Sequence, residues 1–300
     1  MDVACLGDFR YLSDVTAAYL ALIALTCIWG LTFPVVQDSL EFASPLVFVS
    51  LRFLIAAVVF PLLVWPRAHK LNRELVLKGL WLGVLLCGGY AFQTIGLEHT
   101  TSARSAFITG TFVPLTPLFA WMLFRTKISF RMWLAVLLAF AGITIMSQPD
   151  AGGLRLGDYF ALLCAICFAL QVVFIGRWAN RENECQLTWL QLGVTSVMAA
   201  LLLPTESVIR LEWSGYLVFG LVFTAIFASA LAIWGQLRFQ PKISVAAAAV
   251  IFSLEPITAG LAAWLMQNHI PPMITLYGAS CIVAGMVVSA TGQQREIIPT

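Results

Sequence analysis

Long apolar runs follow one another along the chain with only short polar gaps between them. They fall at about residues 16–36, 46–65, 75–97, 103–124, 130–147, 157–178, 187–203, 214–238, 244–266 and 272–290. Each is roughly 20 residues long, the length a helix needs to cross about 30 Å of hydrocarbon. Strands of a membrane barrel would alternate apolar and polar positions over tracts of about ten residues. These runs do not alternate, so they read as helices. The expected fold is an all-α integral membrane protein with ten transmembrane helices.

Composition narrows the classes further. The chain has 300 residues, 60% hydrophobic and 11% charged, with a mean hydropathy of +0.91. A soluble domain carries about 25% charged residues, and fewer than half as many cannot cover a water-facing surface. A soluble enzyme, a nucleic-acid binder and a disordered chain are excluded. The implied surroundings are a lipid bilayer, with no nucleic-acid partner and no obligate protein partner.

The net charge of +2 names no partner, but the placement of the charges is informative. If the N-terminus is inside, 13 of the 17 Lys and Arg residues fall on the inner side. They are Arg10; Arg67, Lys70, Arg73 and Lys78; Arg125, Lys127 and Arg131; Arg177 and Arg181; Arg238 and Lys242; and Arg295. The outer loops hold only Arg104, Arg155 and Arg210. Basic loops stay in the cytoplasm, so a multi-pass protein of the cell (inner) membrane with both termini cytoplasmic is expected. Residues 1–15 hold Asp2, Asp8 and Asp14 against Arg10, which does not fit a signal peptide. The seven cysteines are odd in number and lie mostly in apolar runs, so they read as packing residues, Cys164 and Cys167 included.

The two halves share a pattern. Ser102-Ala103-Arg104-Ser105-Ala106, Pro114, Trp121 and Ala141-Gly142 recur as Ser244-Val245-Ala246-Ala247-Ala248, Pro256, Trp264 and Ala284-Gly285, offset by 142 to 143. Trp29-Gly30 falls opposite Phe168-Ala169, at an offset of about 139. Two five-helix repeats follow, at 16–147 and 157–290, with cytoplasmic tails at 1–15 and 291–300 and a periplasmic linker at 148–156. Five is odd, so the second repeat enters the membrane from the opposite side. Inverted repeats of this kind underlie many carriers that work by alternating access.

On these residues the chain resembles the drug/metabolite transporter superfamily, specifically its EamA-type members, over almost its whole length. The resemblance rests on Trp29-Gly30 with Pro34, Pro45 with Arg52-Phe53, Thr100-Thr101-Ser102-Ala103 leading to Pro114, Leu254-Glu255-Pro256, and Ala284-Gly285-Met286. It implies transport of amino acids or related metabolites, often as export. The family often has a Glu just after spans four and nine. Here those places read Phe124-Arg125-Thr126-Lys127 and Met266-Gln267-Asn268-His269, so no role of that Glu carries over.

Intramembrane polar residues are costly and mark candidate sites. Glu255 lies 11 residues into its run, about 16 Å deep and near the midplane. It reads as a proton-coupling site, as a partner for a substrate amine, or as a satisfied structural carboxyl beside a helix break. Its counterpart in the first half is Val113. Arg52 lies about 9 Å deep and reads either as a structural pairing residue that snorkels outward or as a partner for a substrate carboxylate. Gln93, Gln171 and Gln236 lie at mirrored depths and fit either a solute path or hydrogen bonding between helices. Trp29, Tyr90 and Trp234 are candidate pocket walls, with core or lipid packing as the alternative. Gly30 and Pro34, Pro114 and Pro117, and Pro256 are candidate helix breaks or gates. Runs one, three, four, six, eight and nine are expected to surround the cavity.

No nucleotide-binding loop, metal-ligand cluster or hydrolase motif appears in the sequence, so no catalytic residue, metal or cofactor is assigned. The reading is a secondary active transporter for small polar or amphipathic metabolites, with protons as a possible coupling ion. The alternative is a channel-like pore or a non-transporting intramembrane protein.

Overall fold

The computed structural model describes residues 3–64, 71–100, 102–147, 155–267 and 273–297. Arg67, Lys70, residues 148–154 of the expected linker, Asn268 and His269 lie outside the described residues. So do the side chains of Arg10, Arg104, Gln267 and Arg295.

The described chain is helical throughout. Its helices are α1 (Val3–Ser39), α2 (Pro45–Leu63), α3 (Arg73–His99), α4 (Ser102–Thr109), α5 (Phe112–Phe124), α6 (Phe130–Ser147) and α7 (Leu156–Trp178). They continue as α8 (Glu184–Leu202), α9 (Gly215–Phe223), α10 (Ala232–Phe239), α11 (Val245–Phe252), α12 (Glu255–Gln267) and α13 (Met273–Ile297). Among the described residues there is no strand, only an isolated antiparallel bridge between Ala43 and Leu211.

Among the described residues, seven helical segments are long and apolar enough to cross a membrane: Asp14–Ser39, Pro45–Leu63, Arg73–His99, Leu156–Trp178, Glu184–Thr205, Gly215–Lys242 and Val245–Ala262. Shorter apolar helices at Phe112–Phe124, Phe130–Ile145 and Leu276–Thr291 accompany them. The outer surface is apolar: Leu62, Leu201 and Phe130 are 77%, 73% and 83% exposed. Large apolar side chains facing outward in such numbers fit a lipid surround and not water.

Helix starts use local chemistry. Asn72, Ser214 and Ser244 each accept the backbone N–H three residues on, at 2.7, 3.1 and 3.1 Å, which satisfies an otherwise orphaned donor. At α2 the cap comes from the other half of the chain. The Glu206 carboxylate accepts from Leu46 N at 2.6 Å and from Ser44 Oγ at 2.5 Å.

The expected helix breaks divide into two kinds. The fourth and ninth runs are broken, at Gly110-Thr111 between α4 and α5 and at Ser253-Leu254 between α11 and α12. Pro114 and Pro256 lie in the first turns of α5 and α12, where a backbone N–H has no helical partner to lose. Pro117 lies within α5 without ending it. The first run is not interrupted: α1 continues through Gly30 and Pro34. A Cβ at Gly30 would lie 2.8 Å from the Glu255 carbonyl and would collide with Thr258, so Gly30 permits close approach of α1 to α12 and does not act as a hinge. The pair Gly79 and Gly83 similarly lets α3 meet Leu190 and Val194 of α8.

One feature lies outside the expectations. Between α9 and α10 the chain winds as a π-helix over Thr224–Leu231. No Pro or Gly marks this stretch.

The tertiary pairs are α6 with α13, α2 with α8, α5 with α11 and α4 with α12. Around them, α3 packs on α7 and α8, and α2 packs on the π-helical segment. α7 packs on α4 and α5, while α1 packs on α10 and α12.

Candidate functional site

Where the broken helices face α1, α3, α7 and α10, the bundle holds a small, partly open cavity of about 50 Å³. Its walls come from the six runs expected to surround one. Of the eight binding or coupling candidates, Trp29, Tyr90, Gln93, Gln171, Gln236 and Glu255 line it. Thr32, Phe112, Phe168 and Phe252 complete much of the wall. Sequence reasoning did not single these four out as site residues, although Thr32 and Phe168 stand at repeat positions opposite Gln171 and Trp29.

Glu255 is the first residue of α12. The break beneath it aims the first turn of α12 at the cavity, and the partly positive end of a helix favours an acidic residue there. Its carboxylate makes no hydrogen bond or ion pair among the described residues, and it does not pair with Arg52. The structural reading, a carboxyl satisfied by neighbouring donors, finds no donor in place.

The aromatic wall is held edge to face. Trp29 meets Phe252 at 5.5 Å between ring centres, and Tyr90 meets Phe53 at 5.0 Å and Phe168 at 5.4 Å. Trp29 Nε1 donates to the Ala228 carbonyl at 2.9 Å. Ala228 belongs to the π-helical segment, whose winding presents a carbonyl to a neighbouring helix.

The glutamines differ in their engagement. Gln171 donates to Gln191 at 3.1 Å, and Gln236 donates to Gln240 at 2.9 Å. Gln240 in turn donates to the Val172 carbonyl at 2.6 Å, tying the end of α10 to α7. The Gln93 amide makes no hydrogen bond among the described residues and is open to the cavity.

Two candidates do not reach the cavity. Trp234 and Gln236 are two residues apart, about 200° around a helix, so they cannot face the same space. Trp234 packs against the core between α2, α3 and α8, with the Arg238 guanidinium 5.4 Å from its ring centre. Arg238 also pairs with Glu184. Arg52 is only 3% exposed, so it does not snorkel to the outer interface. It turns inward behind the cavity wall. Its Nε donates to Ser229 Oγ of the π-helical segment at 2.8 Å, and its guanidinium carbon lies 4.6 Å from the Tyr90 ring centre. Its Nη2 has no hydrogen-bond partner.

Cys164 and Cys167 are free thiols, and Cys164 accepts a hydrogen bond from Thr109. Among the described residues no group of His, Cys, Asp and Glu is arranged to hold a metal ion.

An apolar exterior around an aromatic-walled cavity that carries a few polar groups fits a multi-span membrane transporter. The sequence model of the EamA-like transporter family matches residues 16–148 and again residues 155–291. The chain belongs to this family, whose members are transporters and not enzymes. It is 32% identical over 270 residues to an uncharacterized transporter of Archaeoglobus fulgidus, covering 90% of this chain and 83% of that protein. It is 23% identical to an S-adenosylmethionine uptake transporter of Rickettsia bellii, covering 77% of this chain and 79% of that one. A solved crystal structure shares the fold, with a TM-score of 0.74, 20% identity, and coverage of 94% of this chain and 98% of that one.

Proposed function

We propose that this transporter is a secondary active carrier for small polar or amphipathic metabolites, amino acids or related compounds, working by alternating access at the central cavity. The chain crosses the cell membrane ten times with both termini in the cytoplasm. Two inverted five-helix repeats, 16–147 and 157–290, rock about the cavity. The tails at 1–15 and 291–300 and the linker at 148–156 lie outside the repeats.

The observation that carries this reading is the pairing of the cavity walls across the halves. Trp29 and Phe168, Thr32 and Gln171, Tyr90 and Ile233, and Gln93 and Gln236 all line the cavity. Each pair stands at the repeat offset of 139 or 143. The helix contacts support it too. Exchanging the halves turns the packing of α1 on α10, α11 and α12 into that of α7 on α3, α4 and α5, and α2 with α8 into itself. A site built from matched positions of two opposed repeats is equally reachable from either side, which is what a carrier requires. Gly30 sets the approach of α1 to α12, Pro114 and Pro256 lie at the breaks, Pro34 and Pro117 lie within unbroken helices, and the repeats move about the approach and the breaks.

Glu255 is the coupling or amine-binding group, since it is an unpaired carboxylate on the cavity wall, and protons are the proposed coupling ion. The relative named for S-adenosylmethionine uptake supports an amine-bearing metabolite as substrate. We take export as the direction; uptake is the same cycle run in reverse.

The test is counterflow in proteoliposomes, with unlabelled amino acids and related metabolites inside and each labelled counterpart outside. Saturable exchange is expected for at least one solute, and for Glu255→Gln the loss of accumulation driven by a pH gradient. Flux that never saturates would replace the carrier with a pore. Folded protein that exchanges nothing across the panel would sink the reading.

A further inference from the structure

The matched walls of the cavity contain two chemical mismatches. Glu255 stands where the first half has the fully buried Val113, and Tyr90 stands where the second half has Ile233. Both departures bring polarity to one half only. Glu255 brings a carboxylate with no partner. Tyr90 brings a phenol backed by the Arg52 cation, and the phenol lies within electrostatic reach of both Arg52 and Glu255.

Arg52 is incompletely compensated. Its partners are the Ser229 hydroxyl, the Tyr90 phenol and the Tyr90 and Phe53 rings, 4.6 and 5.5 Å away, all of them uncharged, and Nη2 is left without an acceptor among the described residues. A buried guanidinium is expensive unless an anion and further hydrogen bonds offset it, and a ring face offsets only part of that cost. The structure therefore holds an unpartnered carboxyl group on the cavity and an under-compensated cation one ring behind it.

We propose that the cavity is bipolar and selects zwitterions, with the substrate ammonium at Glu255 and the substrate carboxylate on the Tyr90 hydroxyl. Arg52 is a positioning residue that acts through Tyr90. The inference rests on the carrier reading in taking this cavity as the substrate site. Charge balance favours it. A bound ammonium favours the ionised form of Glu255, and ionised Glu255, Arg52 and a zwitterion sum to zero, so the loaded centre is neutral in a low-dielectric surround. A simple cation would leave Arg52 uncompensated, and a simple anion would face the Glu255 carboxylate.

The test is equilibrium binding of radiolabelled ligands to the purified full-length protein. Leucine, methionine and phenylalanine are each compared with the matching decarboxylated amine and deaminated acid. At least one amino acid should bind about 10-fold or more tighter than both of its congeners, the size of one charge-assisted hydrogen bond. Tyr90→Phe keeps the ring packing and should weaken the amino acid about 10-fold while changing the amine less than about 2-fold. Arg52→Gln should act in the same direction, and Arg52→Lys should restore part of the loss.

If every amine binds as well as its amino acid, if no amino acid binds, or if Tyr90→Phe weakens both forms alike, the bipolar site is wrong. Saturable counterflow of amines alone would remove this inference and keep the carrier. Zwitterion-selective binding without counterflow would do the reverse.

Discussion

The break between α4 and α5 and the break between α11 and α12 are the same backbone device used twice with different chemistry. Both place a proline in the first turn of the following helix. In the first half the residue before that proline is Val113, sealed in the core; in the second it is Glu255, facing the cavity. Backbone geometry can be duplicated because any residue that tolerates the turn will do. A carboxylate cannot be duplicated as cheaply, because two like charges in one cavity repel. The fold keeps the repeat while the site departs from it.

Exchanging the two residues is the strongest way to break that comparison. Val113→Glu puts an unpartnered carboxyl into a packed core and should cost roughly 3–5 kcal/mol, read as loss of the monodisperse peak in detergent. Glu255→Val leaves a residue that fits an apolar wall, so the peak should persist while exchange in proteoliposomes disappears. If Val113→Glu is tolerated as well as Glu255→Val, the two breaks are not chemically distinct.

The next effect belongs to the helix approaches. Gly30→Ala drives a Cβ into Thr258 and the Glu255 carbonyl and should cost about 1–3 kcal/mol, seen as a lower melting temperature. Thr258→Ala in the same chain should recover part of it. The repeat counterpart of Gly30 is already alanine, the fully buried Ala169. Ala169→Gly should therefore cost only about 0.5–1 kcal/mol.

Pro114→Ala and Pro256→Ala should have the smallest effect, within about 1 kcal/mol of the parent by thermal melt, because neither first-turn N–H has a helical partner to gain. A larger change in only one of them would show that the two breaks are held differently.

Much of the helical plan could be read from uninterrupted apolar runs, since those depend on solvent alone. The breaks at Pro114 and Pro256 could be read from proline chemistry, but the continuity of α1 through Pro34 could not. Whether a proline ends a helix depends on what packs there, and α12 packs against Gly30. The sequence named both Gln236 and Trp234 as cavity candidates; the choice between them escaped it, because both residues look equally apt at that depth. Arg52 read as a residue near the outer interface. Its inward turn depends on Ser229 and Tyr90, which are 177 and 38 residues away in sequence. The π-helical stretch has no compositional mark, so only its neighbours reveal what it does.

That stretch sets the rotational phase of everything after it. A wider turn accommodates residues that a regular helix would advance by about 100° each, so the face α10 shows the cavity is indexed by the winding of Thr224–Leu231. A single-residue deletion there would keep every side chain of α10 and still rotate Gln236 away from the cavity. For this segment, the count of residues carries as much information as their identity.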